Sequence, residues 1–145
     1  MATNANIAKK NEFLERNKSK EDLAEIIGIM IGDGCLHKIK SGKIQTSISC
    51  NKLEKEYAIY LKELLEKYFY PYSFQITNAT SEFLIRNVSV TVGMYLVEKG
   101  LKIGDKIKSC VEIPHWIFEN NEYLRRCLRG LFDTDGCVYN KYDNY

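Results

Sequence analysis

Two aspartates, Asp33 and Asp135, stand 102 positions apart in this 145-residue chain, and each closes an apolar helical stretch just before a glycine. The stretches are EIIGIMIGDG (Glu25 to Gly34) and CLRGLFDTDG (Cys127 to Gly136). A helix C-terminus carries a partial negative charge, so a carboxylate there is electrostatically misplaced. One Asp-Gly at a helix end is ordinary turn chemistry; the same unfavourable end built twice asks for a cause. Ala24, Gly28 and Gly32 fall on one stripe of the first helix, and Gly130 and Thr134 on one of the second. Small residues at that spacing let two helices approach closely, with Ile27, Ile31, Leu131 and Phe132 supplying apolar contact. Side by side, the helices bring both acids to one end, where two carboxylates and two negative helix ends repel unless a cation sits among them. The pattern predicts a divalent-metal site, and oxygen ligands alone favour Mg²⁺ over zinc, with Mn²⁺ as a substitute.

The elements that must position those acids follow from periodicity. Ser19, with Asp22 three residues on, resembles a capping box, and Leu23, Ile26, Ile27, Met30 and Ile31 then recur at helical spacing. CLHKIK and KIQTSISC, separated by Ser41-Gly42, read as a hairpin in which Ile44, Thr46, Ile48 and Cys50 alternate with Gln45, Ser47 and Ser49. NKLEKEYAIYLKELLEKYF reads as a helix with Leu53, Tyr57, Tyr60, Leu61, Leu64 and Leu65 on its apolar side. SFQITN and EFLIRNVSV form a second hairpin, a third helix runs from about Thr91 to Lys99, and a connector leads to the second acid-ended helix. The order αββαββα predicts an α+β fold, an antiparallel sheet layered with helices. We divide the chain into a lead-in (1–18), a first repeat (19–108), and a connector with the first helix of a second repeat (109–145).

Composition narrows the class. With 45% hydrophobic residues the chain can bury a core, and a formal charge of +2 makes any polyanion argument depend on local patterning. Five cysteines, none spaced as CxxC, argue against a disulfide framework or a zinc ribbon and fit a reducing cytosol. The longest apolar window, around Leu23 to Ile31, is far short of the ~20 residues a membrane span needs. The first residues lack the apolar core of a signal peptide. The expectation is a cytoplasmic protein, or an organellar-matrix one in a eukaryote, that is neither secreted nor membrane-bound.

IIGIMIGDG (Ile26 to Gly34) and LRGLFDTDG (Leu128 to Gly136) resemble the paired signature motifs of the LAGLIDADG homing endonucleases, and the likeness runs from Ser19 to Tyr139. It implies Mg²⁺-dependent, site-specific double-strand cleavage of DNA with short 3′ overhangs, by an enzyme of a mobile intron or intein. It implies a saddle-shaped sheet in the major groove, with metal held by Asp33, Asp135 and the backbone carbonyls of Gly32 and Thr134. It further implies a basic assistant, best matched by Lys106 in GLKIGDK, and a water-positioning residue, for which Asn51 substitutes. On the polar sheet face, Gln45, Ser47, Ser49, Gln75 and Thr77 suit base edges, while Lys38, Lys40, Lys43 and Arg86 suit phosphates. His37 and Lys38 compete for the groove side at the first hairpin. The second repeat stops short, so self-association or a missing repeat is expected to complete the saddle. The alternatives are a non-cleaving DNA-binding regulator, an intron RNA maturase of the same fold, or an inactive half-enzyme.

Overall fold

The structure, a computed structural model, describes Ala5, residues 18–106 and residues 108–135, with the side chain of Asp135 outside that description. Most of the expected lead-in, the stop at Gly136, and Cys137 lie outside the described residues. The elements run α1 (Lys20–Gly32), β1 (Gly34–Lys38), β2 (Ile44–Asn51), α2 (Lys55–Tyr68), β3 (Gln75–Asn78), β4 (Glu82–Val88), α3 (Val90–Glu98), a 3-10 turn (His115–Glu119) and α4 (Asn121–Asp135). The expected α+β fold with its αββαββα order is therefore present, followed by a further helix.

The four strands form one antiparallel sheet in the order β1-β2-β4-β3. Period-2 alternation buries Leu36, Ile44, Ile48, Cys50 and Ile85 toward the helices. Above them Phe69, Phe74 and Tyr95 form an aromatic cluster with centroids 5.8 to 5.9 Å apart. The Tyr68 and Tyr95 hydroxyls share a hydrogen bond of 2.6 Å within it. Two expectations need correcting. Leu53 is 93% exposed, because its N–H bonds the Asn51 side-chain oxygen (2.9 Å) in a turn that precedes α2. The capping box is also only half made. Ser19 Oγ accepts the Asp22 N–H (3.1 Å), but the Asp22 carboxylate is drawn away to Arg126 (2.8 Å) and Lys67 (3.1 Å).

Helix α1 is buried on nearly every side, as a helix enclosed between a sheet and other helices must be. Its closest neighbour is α4, and the two meet backbone to backbone. A Cβ added to Gly28 would lie 2.0 Å from the Cys127 carbonyl oxygen, and one on Gly130 would lie 2.4 Å from the Glu25 carbonyl oxygen. The helices run parallel: Arg126, before the crossing on α4, reaches Glu25 (2.6 Å) and Asp22 (2.8 Å), both before it on α1. Glu25 is completely buried and also accepts from Tyr60 of α2 at 2.5 Å. One guanidinium thus joins the two motif helices, and the carboxylate it shares ties them to the third.

Two stability predictions follow. Gly28→Ala and Gly130→Ala each force backbone apart and should cost about 1–3 kcal/mol or more, against less than about 0.5 kcal/mol for an exposed control such as Glu63→Ala, read by urea unfolding. Arg126→Ala leaves Glu25 charged and buried without its cation, for a loss of about 3–5 kcal/mol. Adding Glu25→Gln to that variant should recover part of the loss in the same assay, whereas strictly additive losses would show that the pair is not coupled.

Candidate metal centre and nucleic-acid interface

The α1–α4 contact decides what stands at the C-terminal ends. Asp33 is the C-cap of α1, exposed, with its N–H bonded to the Ile29 carbonyl (3.0 Å). Its own carbonyl accepts the Ser49 N–H (3.2 Å), which fixes the helix end to β2. On α4, Thr134 turns its hydroxyl back to the Gly130 and Leu131 carbonyls (3.1 and 3.0 Å), and Asp135 is the last helical residue. Because the helices are parallel and cross at Gly28 and Gly130, the Gly32–Asp33 and Thr134–Asp135 segments leave the pair at the same end. The Asp135 side chain lies outside the described residues.

Lys106 arrives at this end from the loop after α3. Its Nζ donates to the carbonyls of Ile31 (3.0 Å) and Gly32, the latter in a short contact. No basic residue lies in the last turn of α1, so Lys106 supplies positive charge where the helix dipole needs it. The same contact shows that these oxygens accept a cation. These carbonyls and the Asp33 carboxylate at the same helix end are all oxygen donors, the kind a hard divalent ion takes. Among the described residues no three His, Cys, Asp or Glu side chains cluster as metal ligands.

The negative end of α1 also acts on its neighbours. Burial, then the charges of Glu54 and Asp33, push the Cys50 thiol up to about 11. Tyr57, assigned to helix packing from sequence, has a buried hydroxyl without a hydrogen-bond partner among the described residues. Burial, then Asp133, hold it protonated well above the usual tyrosine range. The predicted water-positioning residue, Asn51, ends β2 on the open side, with its side-chain oxygen already engaged by Leu53 N–H.

Strand register places the predicted groove residues. Cys35↔Ser47, His37↔Gln45, Ser47↔Arg86 and Gln75↔Arg86 are cross-strand partners, so His37, Gln45, Ser47, Ser49, Gln75, Thr77 and Arg86 share the face away from the helices, with Ser47 buried beneath its neighbours there (7% exposed). Lys38 pairs with Ile44 and takes the helix-side parity, exposed at the strand end; of the His37/Lys38 pair, His37 is the one on the open face. Lys40 and Lys43 flank the β1–β2 turn, both exposed. The reading from sequence missed Glu82, Leu84 and Val88, which share that face by register with Asn51, Ser49 and Gln45. It also missed Ser73 and Asn87, which join Gln75, Arg86 and Val88 around a recess of about 240 Å³. Simple alternation along β4 would have found the first three. A larger cavity of about 410 Å³ opens at the other end of α1, between Lys18, Tyr68, Lys99 and Trp116, and takes none of these residues.

No protein-family model matches the chain. It is 33% identical over 124 residues to the replication factor C small subunit of Methanocaldococcus jannaschii, a match spanning 78% of this chain and 6% of that protein. It is 29% identical over 124 residues to the ribonucleoside-diphosphate reductase NrdEB subunit alpha of Bacillus subtilis, spanning 81% of this chain and 11% of that one. The chain therefore spans about a tenth or less of the curated relatives it matches. Among solved structures it resembles the homing endonuclease I-DmoI. In the complex of I-DmoI with DNA and Ca the TM-score is 0.56 at 15% identity, over 81% of this chain and 59% of that one. In the complex with DNA and Mn it is 0.53 at 15% identity, over 79% and 62%. At that identity the likeness establishes the fold, the LAGLIDADG-type α+β architecture.

The two buried thiols carry a test of their own. Cys50 and Cys127 are both raised to about 11, so each is a neutral thiol below that pH, and only the thiolate alkylates. At pH 8 iodoacetamide should label exposed Cys35 and Cys110 first in the folded chain, with Cys50 and Cys127 at least about tenfold slower. Peptide mass spectrometry would read the order, and early labelling of Cys50 would contradict the burial that chiefly raises its pKa.

Proposed function

We propose that the chain is a divalent-metal-dependent, site-specific DNA endonuclease of homing type, or part of one. The observation that carries this reading is the parallel backbone contact of α1 and α4, two helices that both end in an acid. A binding protein has no use for two acid-capped helix ends side by side; a metal-dependent hydrolase does. In this reading Asp33, Asp135 and the carbonyls of Gly32 and Thr134 would hold Mg²⁺, which when bound would supply water of lowered pKa and positive charge at the leaving 3′ oxygen of each strand. Lys106 carries charge to the scissile phosphate, and Asn51 orients water through its amide nitrogen. The shared open face of the sheet supports groove recognition: His37, Gln45, Ser47, Ser49, Gln75 and Thr77 address base edges, while Arg86, Lys40 and Lys43, with Lys38 at the rim, address phosphates.

The two curated relatives support the origin of the segment. A replication factor and a nucleotide reductase share a stretch of similar length with this chain. What they have in common is that stretch rather than either named activity, which fits a module carried by a mobile intron or intein. The division into a first repeat (19–108) and the opening of a second (109–145) is part of the same reading. Phe132 is 60% exposed, whereas Met30, its counterpart 102 positions earlier on α1, is 3% exposed against its own sheet. That face of α4 is where a second repeat, or a second copy of the chain, would complete the saddle.

Incubation of the chain with a randomised duplex pool in Mg²⁺, beside an Asp33→Asn, Asp135→Asn double variant, tests the proposal. Cuts with short 3′ overhangs, absent from the variant, are the expected result. Retention of duplex without cutting, weakening steeply with salt, would favour a DNA-binding regulator; preference for structured RNA would favour a maturase; neither would remove the functional reading.

A further inference from the structure

Helix α1 ends without a basic residue in its last turn and is capped by an acid, so its orphan carbonyls and negative pole need a cation from elsewhere. Lys106 provides it from 74 positions away in sequence, with its ammonium on the carbonyls of Ile31 (3.0 Å) and Gly32. The loop that brings it is fastened to β1 by the Gly104 N–H on the Leu36 carbonyl (2.9 Å). Gly104 sits at φ +98, a left-handed conformation that favours glycine. The lysine is therefore delivered by an organised turn and is half-buried.

The Gly32 carbonyl is also the main-chain oxygen that the metal-site reading gives to the divalent ion. An ammonium and a divalent cation on one carbonyl oxygen repel each other at contact distance, so each weakens the other's hold on it. We propose that Lys106 is the resident cation of the metal-free site and exchanges with the incoming ion. The ammonium leaves the α1 carbonyls as the metal arrives and is thereby released toward an anionic partner, a DNA phosphate. No bond is made or broken beyond these hydrogen bonds and contacts. Two consequences follow. Without DNA, metal affinity is held down by competition from Lys106. With DNA, a phosphate that draws the lysine away raises metal affinity, and by linkage metal raises affinity for DNA. The inference rests on the metal-site reading above but concerns binding, not cleavage.

The test uses the full chain without DNA and Mn²⁺ as the probe, with free ion measured by electron paramagnetic resonance. Lys106→Met should bind Mn²⁺ about tenfold or more tightly than the unaltered chain, the scale expected for loss of a competing charged hydrogen bond. Lys106→Gln, a neutral donor, should fall between them. Lys102→Met is the control for simple charge removal: Lys102 lies in the same loop and bonds the Ser109 carbonyl (2.6 Å), not α1, so its affinity should stay within about twofold. In EDTA, Lys106→Met should melt below the unaltered chain, since the α1 end loses its cation. Equal Mn²⁺ affinity in the Lys106 variants and the unaltered chain, or an equal gain in Lys102→Met, would overturn the exchange alone. No Mn²⁺ binding by any of these chains would overturn the metal site and the exchange together.

Discussion

Everything at the candidate site depends on the absence of side chains at Gly28 and Gly130. Interhelical distance is set by whatever stands between two backbones, and here nothing does: an added Cβ would collide with main-chain oxygen at 2.0 Å on one helix and 2.4 Å on the other. Main chain cannot rotate out of the way as a side chain can. The contact therefore fixes separation, while the Arg126 pair with Asp22 and Glu25 fixes rotation and register. With both set near the start and middle of the helices, the location of their last residues is no longer free. The acids are positioned from a distance, by groups that never touch them.

That fixing is asymmetric, and the asymmetry is informative. The 102-position offset that relates Asp33 to Asp135 also relates Ala24 to Arg126 and Glu25 to Cys127. The cation of the buried network thus exists only on α4, and the buried acid only on α1. Pairing α1 with a copy of itself would set Glu25 against Ala24 and leave buried carboxylates with no guanidinium, at a cost of several kcal/mol. A buried ion pair adds little net stability compared with apolar packing, but it distinguishes one partner from another. In this chain it selects the unlike pairing, α1 with α4.

How much of this was legible in the sequence depended on range. Local periodicity revealed the helices, both hairpins and the two faces of the sheet, because those patterns repeat over a few residues. The acid-glycine helix ends stood out because they occur twice. What the sequence hid was non-local. Glu25, inside an apolar run, looks like a solvent-side residue until Arg126 appears 101 positions away. Asp22 reads as a capping partner for Ser19, yet its carboxylate is claimed by charges on two other helices. Leu53 has the right spacing for α2 but precedes its first turn, since an asparagine turn forms there instead. The Lys106 contact with α1 could be anticipated only as a role implied by family likeness. Its geometry belongs to tertiary structure.

The electrostatic character of the α1 end follows from these same placements. The groups around it are neutral or cationic: burial first, then Glu54 and Asp33, hold the Cys50 thiol protonated, burial and then Asp133 hold the Tyr57 hydroxyl protonated, and the carbonyls accept the Lys106 ammonium. A thiolate nucleophile or a tyrosinate is thereby disfavoured at this place, and a cation is favoured. The open sheet face differs: it carries hydroxyls, amides, an imidazole and Arg86, and the chain's formal charge is only +2. Affinity for a polyanion cannot come from bulk charge on such a chain. The cations near this face are divided: Lys40 and Lys43 stand at the β1–β2 turn, whereas Arg86 lies on the inner strand β4 between Ser47 and Gln75. A polyanion on this face would therefore meet positive charge at one hairpin end and again at the middle of the sheet, with hydrogen-bonding side chains between the two.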